Sequence, residues 1–414
     1  MARSRRNKRN IKRKLIETIS NKNFILISSI LIVLILLCLG FSQYDHARQM
    51  AQLQEDKIML EQKIQEIYQM EQQAIVEAEE NQNKISSIIR LSAVGDILCG
   101  NDMIEDAKQE DTYNFASMFT NMPSYVEDAD VVVGTMETNF CANQALSGIK
   151  QYNSPQTFAQ AVKKSGIDMV TLAHNHSYDY GEQGLLETKQ YLESIGFTTI
   201  GTKQEESRVV VKEYRGAKIA FLSYTYGCAG ANATSMVNVF SEENVKQDME
   251  QARQQADFIC VIMHWGEVDS NEISEEQRAM AGILIEEGAG MIIGSHPSTV
   301  QPIEIVQNKQ GNNVLVAYSL GNYISSYGGN HANMEIMLDI ELLRSGETGK
   351  VYLKSVNYTP LYVLDNGKHA ENRYELVDMK QLAEQYAAGD TSMMTKKTYD
   401  EIIEGLKWME EIIT

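Results

Sequence analysis

Six times along this chain a strand-length apolar run stops abruptly at polar or glycine-containing residues. The runs are LSAVGD (91–96), DVVVGTMETN (130–139), MVTLAHNH (169–176), FICVIMHWGE (258–267), MIIGSH (291–296) and VLVAYSLGN (314–322). Short unbroken apolar runs mark strands buried on both faces, so each needs cover above and below. Helical segments with clear punctuation lie between several of them. Ser154 and Pro155 read as the N-cap and first-turn proline of a helix that closes at Gly166, and another helix runs from about Glu182 to Ser194 and stops at Gly196. Ser274 with Gln277 makes a capping box ahead of RAMAGILIEEG, which ends at Gly288. Strands alternating with helices mean α/β layering, in which ligands gather outside the carboxyl ends of strands. The polar residues that end the six runs are therefore expected to converge.

Histidine usage points the same way. Of seven histidines, four (His174, His176, His264 and His296) stand at these run ends, beside the carboxylates Asp96 and Glu137. Taken singly, each reads as a hydrogen-bonded structural residue. Taken together they form a mixed nitrogen and oxygen set of the kind that binds Zn²⁺, Mn²⁺ or Fe.

Six motifs, GDILCG (95–100), TMETN (135–139), LAHNHSYDYGEQGL (172–185), HWGE (264–267), GSHPSTVQP (294–302) and YSLGNY (318–323), occur in the order and spacing of the CapA-type poly-γ-glutamate capsule proteins. The resemblance covers about residues 90–330. It implies a metallophosphoesterase-like double-sheet α/β/β/α sandwich, used by a membrane-anchored component of capsule polymer synthesis or export. Carried over position by position, Asp96, Glu137, Asn175, His264 and His296 resemble metal ligands, and His176 resembles the histidine that faces the substrate. His174 stands where the family more often has a second asparagine, and Asp179, Glu267, Ser298 and Asn322 are expected to steady the ligands or face substrate. The family's His-Pro-His is His296-Pro297-Ser298 here, and Asp96 is followed by Ile97-Leu98 where ordinary metallophosphoesterases have Asp-x-His. One tightly held ion is the expectation, because a hydroxyl is a poor donor for borderline metals.

A divalent ion in such a set lowers the pKa of bound water and polarises a phosphoryl or carbonyl oxygen. His176 beside it carries an imidazole of the kind that can protonate a leaving group. Three readings stay open: a weakly enzymatic or non-enzymatic subunit of a polymer machine, a surface metallohydrolase acting on a phosphoester or on the polymer, and a metal-stabilised binding module for anionic wall polymer. The first implies membrane-embedded synthase or export subunits as partners. No phosphate-cradling glycine loop or basic aromatic-laced surface argues for nucleotide or nucleic acid.

The N-terminal segments specify location. Residues 1–23 form a basic arm with nine Lys or Arg against the single acid Glu17. Residues 24–41, FILISSILIVLILLCLGF, carry no charge over about one bilayer crossing. The exit through Leu39-Gly40-Phe41-Ser42 lacks the small-x-small site of a cleaved signal peptide, and Leu37 before Cys38 is too large for a lipoprotein site. The expectation is a single-pass anchor with its N-terminus in the cytoplasm and its C-terminal domain outside. Residues 42–87 lack proline and glycine after His46 and read as a helical stalk, with Leu53, Leu60, Ile67 and Ala74 at d positions. Lys57 and Glu71 interrupt the a positions, so a coiled-coil homodimer and a lone solvated helix are both compatible with it.

The CapA-like, metallophosphoesterase-fold domain that the resemblance implies is expected over residues 88–364 and a polar, helical extension over 365–414, where TYDEIIEGLKWMEEIIT reads as an amphipathic helix whose Trp408 packs on the domain. Residues 209–226 read as a plain hairpin turning at Arg215-Gly216. Trp265 is either a wall of the cleft or a packed aromatic, and Gly266 permits a sharp turn. Cys99 and Cys141 each follow a ligand loop, which leaves a bridge between them open, whereas Cys260 lies inside an apolar run.

Overall fold

In the computed structural model the described residues are Ser29, Met59, Lys63 and 85–413, apart from 204–206, 229–235, 330, 369 and 371. The basic arm, the span at 24–41 and the heptads of the stalk lie outside them, save for those three single residues. Among the described residues no helix is long and apolar enough to cross a membrane. Ile85–Thr414 form one compact unit.

In chain order the strands are β1 (Ile85–Asp96), β2 (Val131–Thr135), β3 (Ser147–Ile149), β4 (Gln151–Asn153), β5 (Met169–Thr171), β6 (Thr198–Ile200), β7 (Val210–Tyr214), β8 (Ala217–Thr225), β9 (Phe258–His264), β10 (Met291–Ser295), β11 (Ile303–Gln307), β12 (Asn313–Ala317), β13 (Met334–Ser345), β14 (Val351–Asp365) and β15 (Tyr374–Asp378). The helices are α1 (Asn101–Asp106), α2 (Met122–Tyr125), α3 (Gln156–Lys164), α4 (Gly181–Ser194), α5 (Glu242–Gln255), α6 (Glu275–Glu286), α7 (Met379–Ala387) and α8 (Lys396–Ile413). One sheet has the order β15-β14-β13-β1-β2-β5-β6, a second has β11-β12-β10-β9-β8-β7, and β3-β4 is a separate hairpin.

The six apolar runs are six of the eight parallel strands of these sheets, namely β1, β2, β5, β9, β10 and β12. In the first sheet β1, β2, β5 and β6 run parallel; in the second β8, β9, β10 and β12 do. Alternate residues serve opposite faces. Ile219 and Phe221 of β8 join Leu91, Val133 and Ile262 in the core between the sheets, while Ala220 and Leu222 pack outward against Val245 and Met249 of α5 and Leu284 of α6. The outer face of the first sheet is covered by Phe158 and Val162 of α3 and Leu185 and Leu192 of α4. The arrangement is α/β/β/α, as expected.

Several local readings need correction. The first strand begins at Ile85, inside the segment read as stalk, because it pairs with β13 from that point. Ser154 does not cap α3: its hydroxyl is 2.7 Å from Thr138 Oγ1, and Pro155 stands at the N-cap. Buried beside another hydroxyl, it has a better partner than the helix end offers. The capping box of Ser274 and Gln277 is present, Gly288 follows α6 at φ +99°, and the hairpin turns at Arg215 and Gly216 as read. Residues 365–414 supply the edge strand β15 to the first sheet and two helices to the same unit. Trp408 of α8 packs against the core and stacks on His331 with ring centroids 4.1 Å apart. Cys99, Cys141, Cys228 and Cys260 are all free thiols, and Cys141 lies against the carbonyl of Gly184.

Candidate metal centre

Two hydroxyl pairs join the sheets at the carboxyl ends of their parallel strands. Thr135 of β2 meets Ser295 of β10 at 3.0 Å, and Thr171 of β5 meets Ser223 of β8 at 2.6 Å. This seam ends the apolar core, and the donors stand immediately beyond it. Because the central strands of both sheets finish at the same seam, residues far apart in sequence meet there.

Glu137 leaves β2, His264 ends β9 and His296 follows β10; one donor atom from each lies within 4.8 Å of the others. His264 has no exposure. As the neighbouring amide stands, its Nε2–H donates to Asn175 Oδ1 at 2.8 Å, while Nδ1 accepts from Ser295 at 3.1 Å. Glu137 Oε1 is 3.8 Å from Nε2, and Asp96 Oδ1 is 3.5 Å from Nδ1. Asp96 Oδ2 accepts the backbone N–H of His296 at 2.7 Å. That bond holds His296 at φ +101°, a region few side chains tolerate, and strain of this kind gathers at functional sites.

The electrostatics are those of a place short of positive charge. Burial, then Asp96 and Asp179, raises the Glu137 carboxyl well above the usual range. Burial, then His264 and His176, pushes His296 down to about 2, so its imidazole is neutral and free to ligate. His174 is held well below its ordinary value by burial and then by His264; the centroids of these two rings are 6.0 Å apart. Asp96 Oδ1 and His174 Nδ1 are buried without a hydrogen-bond partner. Two carboxylates, one of them Asp96 with its unpartnered buried oxygen, two imidazoles and the amide oxygen of Asn175 fit a divalent cation, which would be held by Glu137, His264 and His296.

The remaining expected residues divide. His176 Nδ1–H donates to Asp179 Oδ2 at 2.9 Å, and that carboxylate also accepts the backbone N–H of Tyr152 at 2.8 Å. Asn322 is buried and donates to the carbonyl of Ala332 at 3.2 Å, its own amide oxygen unpartnered. Glu267 is exposed. Ser298, at φ +59°, donates only to the carbonyl of His296, at 3.5 Å. Trp265 is no cleft wall: it is buried, stacks on Tyr318 and donates to its carbonyl at 2.8 Å, while Gly266 makes the turn at φ +89°.

Three contributors escape sequence reasoning. Ser295 supports His264, and the buried Glu335 accepts the backbone N–H of Gly95 at 3.3 Å, directly before Asp96. Tyr226 lies with its ring 5.1 Å from that of His296. A signal for it exists in the chain: β8 is parallel to β9, so Tyr226 ends a seventh central run, inside the segment that reads as a plain hairpin.

Comparison with known proteins places these residues in context. The family model described as bacterial capsule synthesis protein PGA_cap matches residues 90–327. The chain is 26% identical over 278 residues to the capsule biosynthesis protein CapA of Bacillus anthracis, covering 62% of this chain and 65% of that relative's length. It is 26% identical over 277 residues to the PGA biosynthesis protein CapA of Bacillus subtilis, covering 64% of this chain and 70% of the relative. Among solved structures, a phosphatase from Mycoplasma pneumoniae aligns with a TM-score of 0.42 and 14% identity, over 67% of this chain and 94% of that one.

Proposed function

We propose a function from the premise that this chain belongs to the bacterial capsule synthesis protein PGA_cap family: it acts in the synthesis or export of a poly-γ-glutamate capsule. The observation that carries this reading is that the matched stretch, 90–327, contains every residue of the donor cluster from Asp96 to Asn322. We read the cluster as the working part of this chain. Its partners are membrane-embedded synthase or export subunits, since the activation of glutamate needs a separate enzyme. Deleting the gene from a polymer-producing strain is expected to abolish surface polymer, with restoration by the wild-type chain and not by a chain lacking His264. Unchanged polymer in the deletion strain would refute the capsule role.

The basic arm and the uncharged span at 24–41 support a single-pass anchor that leaves the unit from Ile85 outside the cell. Protease added to intact cells is expected to digest the region after Ser42 and spare the arm. Full protection of the chain would reverse this orientation.

A second reading, metal-dependent hydrolysis on a metallophosphoesterase-like sandwich, is favoured by the His176–Asp179 pair beside the cluster. One divalent ion, of Mn, Zn or Fe type, would supply activated water and polarise the bond to be broken. Asp179 accepts Nδ1–H of His176, so a proton delivered from Nε2 would come from the imidazolium form, which the Asp179 carboxylate steadies. In hydrolysis of a phosphodiester, water adds to phosphorus and the bond to the leaving oxygen breaks. His176 gives that oxygen its proton and regains one from the added water.

A further inference from the structure

The loops around the donor cluster have an unusual surface. Leu146, Ile149, Tyr226, Val268 and Tyr327, between 38% and 58% exposed, lie on the connections that follow β2, β8, β9 and β12, Ile149 in the β3-β4 hairpin; of large hydrophobic residues within 85–413, only Ile305 and Met393 are comparably exposed elsewhere among the described residues. These loops are tied to the site. Tyr226 lies against His296 with ring centroids 5.1 Å apart, and Tyr327 donates to Asp269 Oδ2 at 3.0 Å while Asp269 N–H donates to the carbonyl of Pro297 at 2.8 Å. The hairpin that carries Ile149 is held by Gln151, whose side chain donates to the carbonyl of Asp179 at 3.0 Å.

The same loops are poor in cations. Across the described residues 97–100, 136–155, 172–180, 226–228, 236–241, 265–274, 296–302, 318–329 and 331–333 there is one Lys or Arg, Lys150, against the acids Glu137, Asp179, Glu267, Asp269 and Glu272. No described Lys or Arg pairs with Asp96, Glu137, Asp179 or Asp269; the first three pair with histidines. The chain beyond the arm carries a net charge of −27, because the arm contributes +8 to the total of −19.

A polyanion needs a lined track of positive charge, and like-charge juxtaposition repels it. An exposed apolar rim marks a binding surface of another kind, in which a few polar groups fix orientation and apolar side chains take the rest of the ligand. We propose that the cleft takes an amphiphilic ester, with one phosphoryl group at the donor cluster and an uncharged aromatic or apolar body lying on Tyr226, Tyr327, Val268 and Ile149, and that it does not grip a length of polyglutamate. This rests on the metal-centre reading of the cluster and names its ligand class. The capsule role would then be exercised on a single-headed intermediate or end group.

The test uses the full-length chain in lipid nanodiscs, with metal content measured on the same preparation. Binding of bis(4-nitrophenyl) phosphate and of a γ-linked glutamate decamer is measured by calorimetry at two salt concentrations. The aryl phosphodiester is expected to bind and the decamer not to compete. Val268→Lys combined with Ile149→Lys, both exposed sites, is expected to weaken the ester about tenfold, the loss of roughly one buried apolar contact, and to confer salt-sensitive decamer binding. Salt-sensitive decamer binding by the wild type, or ester affinity indifferent to the lysine pair, overturns the inference while leaving the metal centre and the capsule role standing. A preparation without metal overturns the metal-centre reading and this inference with it.

Discussion

Replacing His264 with alanine is expected to remove tightly bound divalent metal from the purified protein. His264 is the hub of the cluster: one nitrogen faces Asn175 and Glu137, the other Ser295 and Asp96, and the side chain has no exposure. Supporting partners of a ligand alone carry roughly 10- to 100-fold in metal affinity, so losing a ligand itself should cost at least the upper end of that range. Elemental analysis after exhaustive dialysis reads the result, with circular dichroism to show that the variant is folded. Ser298→His belongs in the same experiment. The φ of +59° at this position is one that histidine tolerates better than most residues, and the added imidazole is expected to raise the metal content above one equivalent. Two equivalents in the wild type would show that Ser298 is no deficiency. Metal retained by His264→Ala would remove His264 from the ligand set.

Gly95→Ala is expected to be severely damaging for a change of one methyl group. A Cβ at Gly95 would lie 1.9 Å from the carbonyl oxygen of Gly321 and 3.1 Å from Glu335 Oε2. The first of these is backbone that cannot swing aside, because the same oxygen accepts the N–H of Asp96 at 3.1 Å. Overpacking of this kind costs typically up to about 3 kcal/mol, and more where backbone must shift. The displaced group is Asp96, so metal affinity should fall together with the unfolding midpoint in denaturant. Gly282→Ala is the control. No atom lies within 4 Å of a Cβ built there, in the middle of α6, and the exchange should stabilise by roughly 0.5–1 kcal/mol. Equal midpoints for the two variants would contradict the close approach at Gly95.

Much of the candidate site is legible in the amino-acid order, and the reason is local. Asp96, Glu137, His264 and His296 each end an apolar run, and a short apolar run bounded by a turn is visible within ten residues of sequence; Asn175 is singled out only by the family resemblance. What is not legible depends on neighbours remote in the chain. Trp265 is cleft wall or core according to whether an aromatic lies over it, and Tyr318, 53 positions away, does. Ser154 has the sequence context of a cap, yet Thr138 is its partner. Glu335 sits at the start of a strand, and nothing nearby in sequence says that its carboxyl meets Gly95.

By itself the sequence determined six of the strands, the hairpin at 209–226, several of the helices between them and the kinds of donors at the strand ends, because period, capping and turn chemistry act over a few residues. Only the tertiary structure decided that those donors face one another. Glu137 belongs to one sheet, His264 and His296 to the other, and what aligns them is the pairing Thr135–Ser295 and Thr171–Ser223 across the seam. Packing likewise decided that the apolar side chains of four separate loops surround a cluster short of cations. Each is ordinary alone, since a scattered exposed hydrophobic residue is normal; their meaning comes from being brought to one end of two sheets whose parallel strands must finish together.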